Sequence, residues 1–242
     1  YRQDLKTPLE KFNEKLKMMT FQKELGSMFA KMERICLHAN VLNSTLHLTE
    51  EKTLMRAATL CKADLAATLT QEFPELQGTI GKYYARVQNE PEEVASAIEE
   101  HWMPTSESAP LPKTPCGIAL SLSDKVDNLL SYFSVGLKPT SSSDPYALKR
   151  QTFGLLKMLI EKKHSVDLPN LLHACAKHLP GKTAPIDEIM VFITNRAKSV
   201  LEEYGLKKDE IEAVLQGSCT DPFLQFCKIK ALSAFRQTEA FA

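Results

Sequence analysis

A surplus of charge is missing from these 242 residues: thirty Lys and Arg stand against thirty Asp and Glu. A neutral chain exerts no global pull on nucleic acid or on an anionic membrane, so any RNA contact must be a local patch. Long apolar runs are missing too. None approaches the roughly 18 residues a membrane span needs, and the N-terminus lacks the basic-then-apolar order of a signal peptide. The six cysteines (36, 61, 116, 175, 219 and 227) form no CxxC pair and no even framework. That usage points to reduced thiols in a cytoplasmic protein, most of them small buried hydrophobes. Also lacking are a glycine-rich phosphate loop, an HExxH pair, zinc ligands at a recognisable spacing, a nucleophile signature, β alternation and a repeat of fixed period. The common routes to chemistry are thereby closed.

What is present is helical periodicity, in a chain long enough to bury one large or two smaller helical cores. Tyr1, where a start Met would stand, suggests a piece excised from a longer chain. Leu9, Phe12, Leu16 and Met19 suggest a short docked helix within an N-terminal segment, 1–20. Phe21, Leu25, Met28, Phe29, Met32 and Ile35 form an apolar stripe that predicts a helix from Phe21 to about Leu42, with Lys23, Glu24, Lys31 and Glu33 mostly off it. Thr49 reads as the cap of a helix running through RAATLCKADL (56–65) to about Phe73-Pro74, with Lys62 and Asp64 at the margin of its buried face. A helix from Pro74 to about Val87 is weakened by Gly78 and Gly81, which suit close packing. Glu90-Pro91 opens a helix reaching His101-Trp102, and three prolines make 103–114 a loop. Ile118–Leu130 is an apolar helix with Asp124, Lys125 and Asp127 set into it, followed by a loop at 135–143. Asp144-Pro145 then starts a helix with Leu148, Phe153, Leu155, Leu156, Leu159 and Ile160 inward. Further helices are expected at about 167–179, 186–204, 208–216 and 221–238. The fold class is therefore all-α, with one helical domain over 21–136, a helical body over 144–220, and a further helical region over 221–242.

Chemistry is sparse. Packing the helix around Lys62 against the one around Asp124 would bring their charged groups together as a polar seam. AATLCKADL resembles the helix of HD-type phosphohydrolases in which adjacent His and Asp bind metal; Cys61 and Lys62 stand at those two places. Ile98-Glu-Glu-His101 resembles that family's later histidine region, and Ser123-Asp124-Lys125 its closing metal-binding Asp. Lys62 puts a positive charge where a divalent cation needs a carboxylate. Cys61 could ligate a soft metal and Asp64 could substitute for the missing carboxylate. The degenerate site thus comprises Cys61, Lys62, Asp64, His101 and Asp124, with no metal assigned. A working metal-dependent hydrolase with altered ligands, a satisfied polar network, and a surface reused for RNA stay open. Lys149 and Arg150, at the start of a strong helix, could hold a phosphate or form part of a solvated face.

A wider resemblance narrows these readings. FQKELGSMFAKMERI (21–35), LCKADLAATLTQEFPELQGTIGKYYA (60–85), AIEEHWMP (97–104), ALSLSDKVDNLLSYFSVGLKPTSSSDPYALKRQTFGLLKMLIE (119–161) and KALSAFR (230–236) resemble, in order, the β subunit of bacterial tetrameric glycyl-tRNA synthetase. The resemblance implies an interior piece of an aminoacyl-tRNA synthetase, a ligase of protein biosynthesis. Its multi-helix HD-like domain is followed by a second helical bundle, and an anticodon-binding-like region begins at 221. It implies tRNA and a catalytic α subunit, or a fused α region, as partners, with no membrane and no DNA. The parent enzyme would be ATP-binding and use Mg, while this fragment would bind no cofactor and be inactive alone. Lys62, Lys125, Lys149 and Arg150 are the candidate tRNA contacts. A purely protein-binding helical scaffold is the third possibility.

Overall fold

The structure, a computed structural model, describes residues 4–238. The outermost parts of the expected terminal segments, 1–3 and 239–242, lie outside the described residues. The all-α expectation holds: among the described residues there are twelve α-helices and one two-stranded hairpin. No helix among them is long and apolar enough to cross a membrane.

Phe21 and Leu25 lie in a hairpin, β1 (Thr20–Gln22) with β2 (Gly26–Ser27), not in a helix. Gly26 supplies the turn with a φ of 86°, a conformation that costs glycine nothing. Helix α2 begins only at Met28 and runs to Leu46, capped by Ser27, whose hydroxyl accepts from the Ala30 amide at 3.2 Å. Before it, α1 (Leu9–Leu16) buries Leu9, Phe12 and Leu16 as expected.

Helix α3 is also shorter than its pattern suggests: it spans Glu51–Leu60, and a 3-10 turn over Ala63–Ala66 and a short α4 (Thr68–Glu72) follow. Two residues apart on a continuous helix, Lys62 and Asp64 would point about 200° apart. The break turns both inward, so neither lies at a margin; they are 1% and 0% exposed. Thr49 does not cap α3: its hydroxyl donates to Glu93 Oε1 at 2.9 Å. Gly78 is not inside a helix but precedes α5 (Thr79–Val87) with a φ of 81°. Gly81 is inside it and allows the close approach expected, since a Cβ there would lie 2.6 Å from Ile98 Cγ2 on α6 (Glu92–Glu100).

Everything is built around α7 (Pro115–Ser134). Every residue from Cys116 to Phe133 is buried, as a helix apolar on most sides requires. Its first turns join Leu9, Phe12, Leu54, Ala58, Tyr84 and Ile98 in one core. The rest of α7 joins a second core with α8 (Leu148–Glu161), α9 (Leu168–Ala176) and α10 (Ile186–Glu203), closed by Ile211 of α11 (Lys208–Leu215) and Ile229 of α12 (Pro222–Phe235). Helix α8 starts three residues later than Asp144-Pro145 implies. Asp144 still satisfies it from outside, its carboxylate accepting from the Leu148 and Lys149 amides, both at 2.8 Å. Because α7 is enclosed, its own polar side chains (Ser121, Asp124, Lys125, Asp127 and Asn128) must find partners inside the protein.

Candidate functional site

The network around Asp124 and Asp127 draws on three further elements. Helix α2 lies along α7 and presents Lys31, Arg34 and His38, three residues and a further four apart and hence on one face. The break after α3 presents Lys62, and the C-terminal cap of α6 presents His101 followed by Trp102.

Two carboxylates on α7 organise the cations. Asp127 Oδ1 accepts from Arg34 Nε at 2.7 Å, and its Oδ2 from Lys31 Nζ at 2.8 Å and Arg34 Nη2 at 3.3 Å. Lys31 also donates to Asn128 Oδ1 at 2.7 Å, and its ammonium lies 3.0 Å from Asp124 Oδ1. Lys62 Nζ donates to Asp124 Oδ2 at 3.2 Å, meets His101 Nε2 at 2.9 Å and sits 3.7 Å from the centre of the Trp102 ring. The His38 ring stands 3.4 Å from Asp127 Oδ1 and edge-on to His178 at 5.9 Å. All of these charged groups are less than 10% exposed.

Protonation follows from this packing. Burial and the Lys62 charge hold His101 well below the ordinary histidine range, so its imidazole is neutral. Its Nδ1 is 2.6 Å from the Ile98 carbonyl, which can only accept; the proton is therefore on Nδ1, and Nε2 accepts from Lys62. Burial alone would raise Asp124 and Asp127. Lys31 and Lys62 around Asp124, and Lys31, His38 and Arg34 around Asp127, outweigh it and hold both below the carboxylate range. Burial disfavours the Lys31 ammonium, yet the two carboxylates raise its pKa.

The donor set does not suit a divalent cation. A metal needs lone pairs converging on an open position. Here His101 Nε2 and Asp124 Oδ2 converge on the Lys62 ammonium, and Asp124 Oδ1 and Asp127 Oδ2 on that of Lys31. Each position a cation would take already holds one from the chain. Neither proposed substitute ligand joins in. Cys61 donates its thiol to Ala58 O at 3.1 Å, and burial drives its pKa up, which disfavours the thiolate a metal would require. Asp64 is turned to α5, where Oδ2 accepts from the Gly78 amide at 2.6 Å; burial raises its pKa to about 6.

The residues singled out in the sequence therefore separate. Lys62, His101 and Asp124 meet as the seam required, while Cys61 and Asp64 flank them. Lys125, also buried, donates to Met103 O and Ser121 Oγ, both at 2.7 Å, and desolvation lowers its pKa to about 7. Lys149 lies apart, its ammonium donating to Thr140 O at 2.6 Å and Ser141 O at 3.3 Å. Arg150 is exposed, with no hydrogen bond or ion pair among the described residues. The apolar stripe does not single out Lys31, Arg34 and His38; Lys31 is buried on the inward face instead of lying off it. Their three-and-four spacing was the available signal.

The described cysteines are all free, with Cys61, Cys116 and Cys175 buried, Cys36 and Cys219 half-buried and Cys227 exposed.

Comparison with known proteins places this architecture. The family model for the glycyl-tRNA synthetase beta subunit matches residues 1–216. The glycine–tRNA ligase beta subunit of Clostridioides difficile is 42% identical over 227 residues, covering 91% of this chain and 33% of that protein. The beta subunit of Lactobacillus acidophilus is 38% identical over 250 residues, covering 100% of this chain and 36% of that protein. The glycine–tRNA ligase of Chlamydia pneumoniae is 41% identical over 228 residues, covering 91% of this chain and 22% of that protein. The chain thus spans about a third of the length of the beta subunits it matches. With most of its length matched by that family model, the chain belongs to the glycyl-tRNA synthetase beta subunit family.

Proposed function

We propose that this chain is a tRNA-positioning and structural part of a glycine–tRNA ligase, with no catalytic centre of its own. The parent reaction is ATP-dependent attachment of glycine to its tRNA, with Mg, in the cytoplasm. The ATP and glycine sites lie in an α subunit or a fused α region; the Chlamydia relative, named as the whole ligase, fits that link. The carrying observation is that histidine and carboxylates gathered inside this chain are closed by the ammonium groups of Lys31 and Lys62. A closed ion network braces helices; it offers no position for water or substrate. In this reading an HD-like unit (21–136) shares α7 with a helical body (144–220), and 221–242 opens an anticodon-binding-like region.

Of the four candidate RNA contacts, Lys62 and Lys125 act from inside, shaping the support, and Lys149 holds the 137–146 loop. Arg150 is exposed and holds no hydrogen bond or ion pair among the described residues, which leaves its guanidinium suited to a tRNA phosphate. In the intact ligase, Arg150→Glu should weaken tRNA binding and reduce the slope of log affinity against log salt by about one. Glycine-dependent ATP–pyrophosphate exchange, which needs no tRNA, should be unchanged. An unaltered affinity and slope would clear Arg150, and a lost exchange reaction would move the residue's role to chemistry.

A further inference from the structure

Helix α12 is apolar around nearly its whole circumference: Phe223, Leu224, Phe226, Cys227, Ile229, Ala231, Leu232 and Ala234 leave little room for a solvated face. A helix of that composition is ordinarily enclosed. Among the described residues only one side of it is. Ile229 is buried, Phe226 meets the Tyr204 ring at 5.2 Å, and Arg236 donates to Asp209 of α11 at 2.6 Å. On the opposite side Leu224 is 43% exposed, and Cys227, Ala231 and Ala234 are exposed with it. At about 100° per residue these four fall within a quarter-turn arc, three and four residues apart, the spacing of a coiled-coil seam. Lys228 borders the arc on one side and Lys230 on the other. Neither ammonium is in an ion pair among the described residues, although Lys230 sits 5.3 Å from the centre of the Phe226 ring.

The flanks decide what covers this seam. A second copy of α12 would bring lysine against lysine at the bordering positions, a like-charge contact that coiled coils use to exclude partners. Carboxylates at those positions would be attracted. Size decides where the partner comes from. One face of a 14-residue helix buries on the order of a few hundred Å², short of the roughly 800 Å² per partner of a stable intermolecular interface. The same contact suffices when both helices belong to one chain, because the effective concentration is then in the millimolar range. The beta-subunit relatives have ample further sequence, since this chain is 33–36% of their length. We propose that the Leu224–Cys227–Ala231–Ala234 face of α12 is the docking seam for an amphipathic helix from the remainder of the full-length beta chain, apolar along its centre and bordered by Asp or Glu. Ala231 and Ala234 let that helix approach closely, and Leu224 is the anchor.

Cys227 lies within the seam and is its reporter. In the full-length beta chain, its alkylation by N-ethylmaleimide, read by peptide mass spectrometry, should be at least about tenfold slower in the native protein than in the unfolded chain. Lys228→Glu with Lys230→Glu, both at exposed positions, should restore most of the reactivity while far-ultraviolet circular dichroism stays unchanged. A photo-activatable maleimide on Cys227 should link to a helical peptide of the same chain with acidic bordering residues. Alkylation at the unfolded rate, protection indifferent to the charge reversal, or a link to a second polypeptide would each overturn the proposal.

Discussion

Replacing Lys62 by Met tests whether the buried network carries the fold. The two side chains are close in length, so the change removes charge and donors and creates little cavity. Lys62 has three partners: Asp124 Oδ2 at 3.2 Å, His101 Nε2 at 2.9 Å and the Trp102 ring at 3.7 Å. Breaking one side of a buried ion pair costs about 3–5 kcal/mol, because the abandoned charge stays desolvated. Asp124 keeps Lys31 at 3.0 Å, which argues for the lower end. His101 Nε2 loses its donor, a desolvation cost of about 1–3 kcal/mol that cannot simply be added, since both losses belong to one network. The expected destabilisation is therefore about 4 kcal/mol, a large part of the roughly 5–15 kcal/mol a domain possesses. In a chain of this length it should lower Tm by about 8–16 °C. Urea denaturation of wild type, Lys62→Met, Asp124→Leu and the double variant closes a cycle. The double variant should be more stable than the sum of the single changes implies, because removing both partners leaves neither charge stranded. A cost below about 1 kcal/mol for Lys62→Met, or no coupling with Asp124, would refute the assignment of the network as the brace that ties α2 and the break after α3 to α6 and α7.

Two pH dependences follow from the flanking groups. Asp64 has its folded pKa raised to about 6 from 3.8, so its contribution to stability is fully present below 3.8 and lost as pH rises through about 6; Asp64→Asn should flatten that interval and gain up to about 3 kcal/mol at pH 7 in urea titrations. Lys125 has its folded pKa lowered to about 7 from 10.5, so the folded state binds fewer protons than the unfolded one and stability falls as pH drops through that window. Lys125→Met should remove the slope, narrowing its deficit against wild type between pH 10 and 6, and a gap independent of pH would contradict the burial cause.

The helices and the Lys62–Asp124 encounter were legible in the sequence because each charge interrupts an apolar pattern, and such interruptions in two packed segments must meet. Lys31, Arg34 and His38 were not. Periodicity sorts residues by type, so a lysine reads as solvated wherever it falls, and a stripe counted from Phe21 runs through a hairpin before the helix begins. Burial of α2 actually follows Lys31, Met32, Arg34, Ile35, His38, Ala39 and Leu42, a regular inward face in which polar and apolar residues alternate in pairs. The break after Leu60 was equally hidden, since alanines at 63, 66 and 67 suit a helix as well as the turn that forms.

What such a network does for the molecule is better argued from geometry than from energy. Replaced wholesale by apolar side chains of matching volume, a buried ion cluster often costs nothing. Position is another matter. Lys31 and Arg34 are three residues apart on α2, and Asp124 and Asp127 three apart on α7. Lys31 bridges both carboxylates while Arg34 takes both oxygens of Asp127. A slip of α2 by one turn, about 5.4 Å, would carry one cation past the last carboxylate and leave one carboxylate with no cation from α2. An apolar seam would tolerate that slip with modest repacking, whereas a buried unpaired charge does not. The ions thus select one alignment of α2, α6 and α7, and that alignment sets where α8 and its exposed Arg150 stand relative to the rest of the chain.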